Sequence, residues 1–359
     1  MVTKTFESGD YFETNTFLQE GQNVIKACLF NLVVLANSLE RSSHCQDLVR
    51  IITEKFPCRI IFIRAEESAQ EDYTRITRSI HTVGSGESKV CCDQIDIDVA
   101  KSQINKVPFL VLPNFVPDLP IYILLGHDPT QDLSLLANLQ RFANRIVYDV
   151  DKIDNLDIFS ERVLAAMAET KTDFVDLNWA RCKAWREIIA RICNSQDKVD
   201  TLSNSKTIHI SFTTNAMQMD PKNELQAIYI QSWIAAQLNW TLQRVAREEG
   251  FLKITYGAKE NQITVSIIPK ESQLDPGAIF SIEILTNDDT HYLISHEGES
   301  KHVIVHSSNS ERCEIPYSLF LSNFQRGPAL VTEIFYQPVS DHYANMLGML
   351  HHPEWNKSL

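Results

Sequence analysis

Ala27 to Ala36 is a near-continuous apolar run, the pattern of a strand buried on both faces within a helix-covered sheet. Ser42 to Lys55 follows with helical periodicity through Leu48, Ile51 and Ile52, and Arg59 to Ile63 returns to strand. The alternation continues through strands at Val90 to Val99, Phe109 to Leu112 and Ile121 to Leu125, a helix near Gln131 to Ala143, and a short strand Arg145 to Tyr148. Strands interleaved with helices in this order predict an α/β, Rossmann-like domain with a largely parallel sheet.

The second half has another rhythm. Glu224 to Trp240 is apolar around most of its helical circumference, so it predicts an enclosed central helix, opened by Asp220 as N-cap and Pro221 at the first helical position. Thr207 to Thr213 and Leu252 to Tyr256 bracket it as strands. Gln262 to Ile268, Ile279 to Leu285, His291 to Ser295 and His302 to His306 then alternate apolar with polar, with Gly, Asn and Asp between them, as in an antiparallel meander. Polar Asn194 to Lys206 reads as a loop, and Tyr317 to Phe324 and Ala329 to His351 read as closing helical segments. We therefore expect an α/β domain over 1–170 and an α+β domain over 171–359, a length that suits two cores better than one.

Charge narrows the partners. With 33 basic and 46 acidic side chains the formal net charge is -13, which argues against a nucleic-acid or anionic-membrane surface. No apolar run approaches the ~20 residues that span a bilayer, and Met1 to Gln22 is too polar for a secretory leader, so a cytosolic location is expected. The eight cysteines show no C-x-x-C and no paired metal spacing, and most lie among apolar neighbours, as buried thiols in a reducing compartment do. Cys91-Cys92 is a vicinal pair whose side chains alternate faces in a strand.

Candidate chemistry is sparse. Gly84-Ser85-Gly86 lacks the third glycine of a dinucleotide fingerprint, and the chain has no phosphate-loop lysine motif, no H-E-x-x-H and no G-x-S-x-G. Asp96 and Asp98 share a strand face and read as a solvated face before a cation site. His302 and His306 share a strand face but sit about 13 Å apart along it, too far for one metal. No catalytic residue, metal or cofactor is expected.

Two segments hold four of the five tryptophans. In Asp176 to Ile189 and its continuation, Cys182, Trp185, Ile189 and Ile192 form an apolar helical stripe flanked by Arg181 and Arg186. Such arginines stack their stems on a core and offer guanidinium groups at its rim to a carboxylate or phosphate. The run DLNWARCKAWREIIARICN, followed after a spacer by IQSWIAAQLNW, is similar to the paired Trp motifs of the OpcA-type glucose-6-phosphate dehydrogenase assembly proteins. Asn31 to Val34, Glu54 to Arg59, Pro117-Asp118-Leu119-Pro120 and Arg145 to Asp149 resemble further family motifs in the expected order, so the resemblance runs from about Lys26 to Trp240. The segment after Pro120 departs from it, with Ile121 to Leu125 where the family carries tryptophan, as does Lys183-Ala184 in place of Thr-Pro before Trp185.

The resemblance implies a non-enzymatic protein that binds glucose-6-phosphate dehydrogenase and promotes its assembly or active state, supporting the oxidative pentose phosphate pathway. Asp118, Arg181, Trp185 and Arg186 are then candidate contacts for the dehydrogenase or for a sugar-phosphate effector. The competing class is a sugar-phosphate-binding protein or enzyme that uses the carboxyl-end crevice of the α/β sheet, with Arg59, Arg145, Arg181 and Arg186 as anion ligands.

Overall fold

The computed structural model describes residues 4–6, 24–66, 69–83, 89–130, 138–150, 152–214, 223–258, 261–298, 300, 302–321, 331, 334–336 and 340–357. Two compact units emerge, the first comprising 1–150, 170–175 and 334–338, the second 151–169, 176–333 and 339–359.

The first unit is built on strands β1 (Lys4–Phe6), β2 (Val24–Lys26), β3 (Asn31–Ala36), β4 (Arg59–Glu66), β5 (Thr74–Val83), β6 (Lys89–Ala100), β7 (Ile121–Leu125), β8 (Arg145–Tyr148) and β9 (Asp173–Asp176). Their order is β1-β5-β6-β4-β3-β7-β8-β9, with β2 paired to β6. The contiguous strands β6, β4, β3, β7 and β8 are mutually parallel. First strand in the middle, the next two to one side and the later ones to the other is the doubly wound order, which creates a crevice at the carboxyl ends where the order reverses. All six residues of β3 are buried, because a parallel strand covered on both faces has no solvent side.

Helix α1 (Leu39–Thr53) leaves β3 through Asn37-Ser38, and Ser38 caps it by accepting from the Arg41 N–H at 3.2 Å. Gly126 at the end of β7 has to be glycine, because a Cβ there would fall 2.4 Å from Cys45 Sγ of α1. Antiparallel β5 replaces a second crossover helix and pairs with Val90 to Val99 of β6, a hairpin the apolar pattern does not reveal.

Several segments of the sequence reading change. Phe109 to Leu112 belongs to α2 (Val107–Val111) and the 3-10 turn after it, where Pro108 at the helix start presets the helical φ and Phe109 is exposed. Polar Asn194 to Lys206 contains a helix, Gln196–Ser203, anchored by buried Leu202. Gly84-Ser85-Gly86, Asp220-Pro221 and 131–137 lie outside the described residues.

The second unit holds α3 (Leu156–Glu169), α4 (Leu177–Arg181), α5 (Lys183–Ile192), α6 (Gln196–Ser203), α7 (Leu225–Gln237) and α8 (Asp341–Leu350). Its strands are β10 (Ser205–Thr214), β11 (Thr241–Glu248), β12 (Phe251–Ala258), β13 (Asn261–Glu271), β14 (Ile279–Thr286), β15 (His291–His296), β16 (His302–Ser308) and β17 (Tyr317–Phe320), in the order β11-β12-β13-β10-β14-β15-β16-β17. Every neighbouring pair is antiparallel except β10 with β13, which are parallel and joined through α7, β11 and β12. Tyr317 to Phe320 is thus an edge strand and not the start of a helix: its alternating register against Val303 and Val305 outweighs its weak helical periodicity.

Helix α7 is buried from Leu225 through Ala235, as an all-round apolar helix must be. Two polar groups at this helix are answered from the sheet, Tyr256 donating to Gln231 at 2.6 Å and Arg247 meeting Glu224 at 2.5 Å, while the buried Trp233 indole N–H has no partner among the described residues. Burial nevertheless pushes the Glu224 carboxyl upward.

Candidate functional site

Three places gather functional groups. In the second unit, Asp176 ends β9 and caps α4, accepting from the Asn178 and Trp179 N–H groups at 2.9 and 3.2 Å. Its other oxygen accepts from Tyr229 of α7 at 2.8 Å and Tyr343 of α8 at 3.0 Å. Burial raises the Asp176 pKa against these four hydrogen bonds, so the carboxylate is a structural knot joining three helices. Around it, Arg186 lies 3.4 Å over the Trp179 ring and donates to the Trp179 carbonyl at 2.6 Å, while Arg181 reaches Asn178 at 3.2 Å. Both guanidinium groups are half-buried at a rim.

Trp185 is buried, its ring edge-on to His296 at 5.7 Å, so it fixes α5 rather than offering a surface. The expected helix also breaks at Cys182, whose thiol is buried and pushed up to about 12 by desolvation.

The second place is the amino end of the parallel sheet. Asp118 is exposed in a left-handed conformation, φ 63°, at the turn before β7. Buried Asn31 clamps this turn, donating to the Val116 and Leu119 carbonyls at 3.1 and 3.4 Å and accepting from the Val116 N–H at 2.7 Å. Arg59 and Arg145 open β4 and β8 at this same end, which corrects their proposed place in the carboxyl-end crevice: parallel strands put all first residues together. Arg59 is committed to Asp93 at 2.5 Å, and Arg145 to Asp173 at 2.9 Å and the Ile334 carbonyl.

The crevice itself is the third place. At the switch point between β3 and β7, Arg41 of α1 donates to the Gly126 carbonyl at 2.7 Å and to the Asp149 carbonyl, and His44 meets the buried Asp149 carboxylate at 2.7 Å. The chain's own groups therefore stand where the doubly wound folds seat a pyrophosphate. Sequence reasoning named Asp149 only as the last residue of the family-like segment Arg145 to Asp149 and missed Arg41 and His44, because spacing on α1 says nothing about the strand ends it overhangs. Beside them lies an open cavity of about 660 Å³ between the ends of β3, β4 and β6. Asp96 and Asp98 do not form the solvated face expected of them: Asp96 is buried, and the two carboxylates pair with Arg64 at 3.0 and 2.5 Å. Among the described residues no three His, Cys, Asp or Glu side chains are grouped to hold a metal ion. No helix among them is long and apolar enough to cross a membrane.

Two family models match in order: the glucose-6-phosphate dehydrogenase subunit N-terminal domain (OpcA assembly type) over residues 49–165, and the corresponding C-terminal domain over 172–311. The chain belongs to the OpcA family. A putative OxPP cycle protein OpcA of Synechococcus elongatus is 24% identical over 203 residues, covering 54% of this chain and 42% of that protein. Its namesake from Synechocystis is 22% identical over 167 residues, 46% of this chain and 33% of the relative. The chain thus matches less than half the length of these family members. Among solved structures, glucose-6-phosphate 1-dehydrogenase from Mycobacterium avium superposes with a TM-score of 0.52 at 10% identity, over 92% of this chain and 91% of that one. A putative oxidoreductase, yvaA, from Bacillus subtilis gives 0.50 at 9% identity, over 91% and 96%. At such identities the family member shares their fold, and nothing about chemistry follows from the likeness.

Proposed function

We propose that this protein is a non-enzymatic, cytoplasmic partner of glucose-6-phosphate dehydrogenase that promotes its assembly or active state and so supports the oxidative pentose phosphate pathway. The observation that carries this reading is the ordered match of both OpcA domain models along the chain. The crevice supports it: a Rossmann-like sheet without the glycine turn, its switch point filled by Arg41, His44 and Asp149, suits a scaffold that has the architecture of a dehydrogenase without its dinucleotide seat. Activation requires the protein to bind the active form of the dehydrogenase more tightly than the inactive form, since equal affinity shifts no population.

As contacts we propose Asp118 in the first unit and Arg181 and Arg186 in the second, with Trp185 anchoring α5, the helix that carries Arg186. The test is the dehydrogenase rate at limiting concentration with and without the purified protein. Activation is expected, and the protein alone should turn over neither glucose 6-phosphate nor 6-phosphogluconolactone. Asp118→Asn, which removes the charge and keeps a residue that tolerates the left-handed turn, should weaken activation at an unchanged melting temperature, whereas Arg186→Glu is a poorer probe because it also removes the Trp179 stack. Turnover by the protein alone that survives repurification and vanishes on one point substitution would overturn the reading.

A further inference from the structure

We infer that the cavity at the carboxyl ends of β3, β4 and β6 binds a phosphorylated polyol, either a free sugar phosphate or the ribose phosphate of a nucleotide. At about 660 Å³ it lies in the size range of small-molecule sites. Its lining divides by chemistry. Ala36 and Ala65, at the ends of β3 and β4, are short side chains that leave room for a ring. Arg64 is pinned by Asp96 and Asp98, so its charge is committed within the protein. Arg75 on β5 stands in register with Asp98, is exposed, and forms no ion pair among the described residues. It is the cation available to a phosphate at the mouth.

The hydroxyl side of the site is equally specific. Glu66 accepts from the Tyr73 hydroxyl at 2.6 Å through one oxygen, leaving the other for a ligand hydroxyl. That hydrogen bond, ahead of burial, pushes the Tyr73 phenol up to about 12, so it remains a donor across the physiological range. An acidic residue ending the second strand of a doubly wound sheet is where a ribose hydroxyl is received. Glu66 and Asp98 beside the arginines disfavour polyanions and favour a ligand with several hydroxyls and one phosphate.

The neighbouring geometry limits the ligand to a single phosphate group. Ser38 already accepts from the Arg41 N–H at the start of α1, and the Arg41 side chain bridges Gly126 and Asp149 across the path a pyrophosphate would follow. Binding is a property of this protein alone, so its failure would leave the dehydrogenase reading standing, and failure of that reading would leave the cavity untouched.

Isothermal titration of the full chain with glucose 6-phosphate, AMP, NADP+, glucose and inorganic phosphate tests the inference. Glucose 6-phosphate or AMP should bind with a Kd between roughly 10 μM and 1 mM, and which of them does so identifies the source. Arg75→Glu and Glu66→Gln should each weaken binding by about tenfold or more, with the melting temperature unchanged because both side chains are exposed. No binding of either at about 10 mM, inorganic phosphate binding as well as either, NADP+ binding about tenfold tighter than AMP, or affinity that survives both substitutions would each overturn it.

Discussion

The two sheets bury their residues in different ways. In the parallel sheet, β4 buries Ile60, Ile61, Phe62 and Ile63 in succession, whereas β12 of the antiparallel sheet buries Leu252, Ile254 and Tyr256 and leaves Lys253 and Thr255 half-exposed. A strand covered on both faces has no side chain to spare, so its sheet can present functional groups only at its ends. That is where they are found: Asn31, Arg59 and Asp118 at the amino end, Arg41, Glu66, Asp98 and Asp149 at the carboxyl end. A strand covered on one face keeps every second residue for other uses, and its helices carry the polar knots.

The comparison breaks first at the tryptophans of the second unit. Trp185 and Trp233 are both buried, and truncating either to alanine should destabilise by roughly 3 to 5 kcal/mol in denaturant unfolding. A loss under about 1 kcal/mol would show that the helices do not close over the antiparallel sheet as described.

Neighbouring positions give a sharper contrast. Ile61→Ala and Phe62→Ala, adjacent in β4, should each cost about 2 to 5 kcal/mol. In β12, Ile254→Ala should cost a similar amount, but Thr255→Ala should cost about 1 kcal/mol or less. Equal costs at 254 and 255 would mean that the second face of that sheet is covered too.

This difference in burial also explains what the sequence made legible. Continuous runs such as Asn31 to Ala36 and strict alternation such as Phe251 to Ala258 announce themselves, because period and burial coincide. Antiparallel β5 did not: Thr74-Arg75-Ile76-Thr77-Arg78 carries few apolar residues and owes its place to pairing with β6. Phe109 to Leu112 misled because four apolar residues suit either a strand or a short helix, and Pro108 decides for the helix. Of the candidate contacts, the rim position of Arg181 and Arg186 and the burial of Trp185 follow from the helical stripe. The Asp176, Tyr229 and Tyr343 knot spans 167 residues and has no local signature. The cavity was equally hidden, since Glu66, Arg75 and Asp98 meet only through strand order.

Titration separates the covered face from the rest. His296, at the end of β15, packs against Trp185 and Phe280, and burial lowers its pKa below the ordinary 6.5. The unfolded chain then binds the proton more readily than the folded one, so this contribution to stability is complete above pH 6.5 and lost as pH falls below it. His296→Gln should flatten the fall in melting temperature between about pH 6.5 and 5. An unchanged slope would place the responsible group elsewhere.

The smallest effect concerns how the antiparallel strands are joined. Glu248 of β11 pairs with Phe251 of β12 across a two-residue connection, Glu249-Gly250, with φ of 51° and 88°. Both residues occupy the left-handed region, the conformation of a type I′ turn, whose twist matches that of the flanking strands. Glycine adopts it freely at the second position, but glutamate at the first carries a Cβ that crowds its own carbonyl. Asparagine tolerates the region better because its short polar side chain bonds locally. Glu249→Asn should therefore stabilise the second unit by about 0.5 to 1 kcal/mol, read as a raised denaturant midpoint at constant slope. Parallel β3 and β4 are joined through α1 and have no tight hairpin turn of this kind between them. A neutral or destabilising result would mean that the Glu249 side chain makes a contact worth more than the strain it relieves.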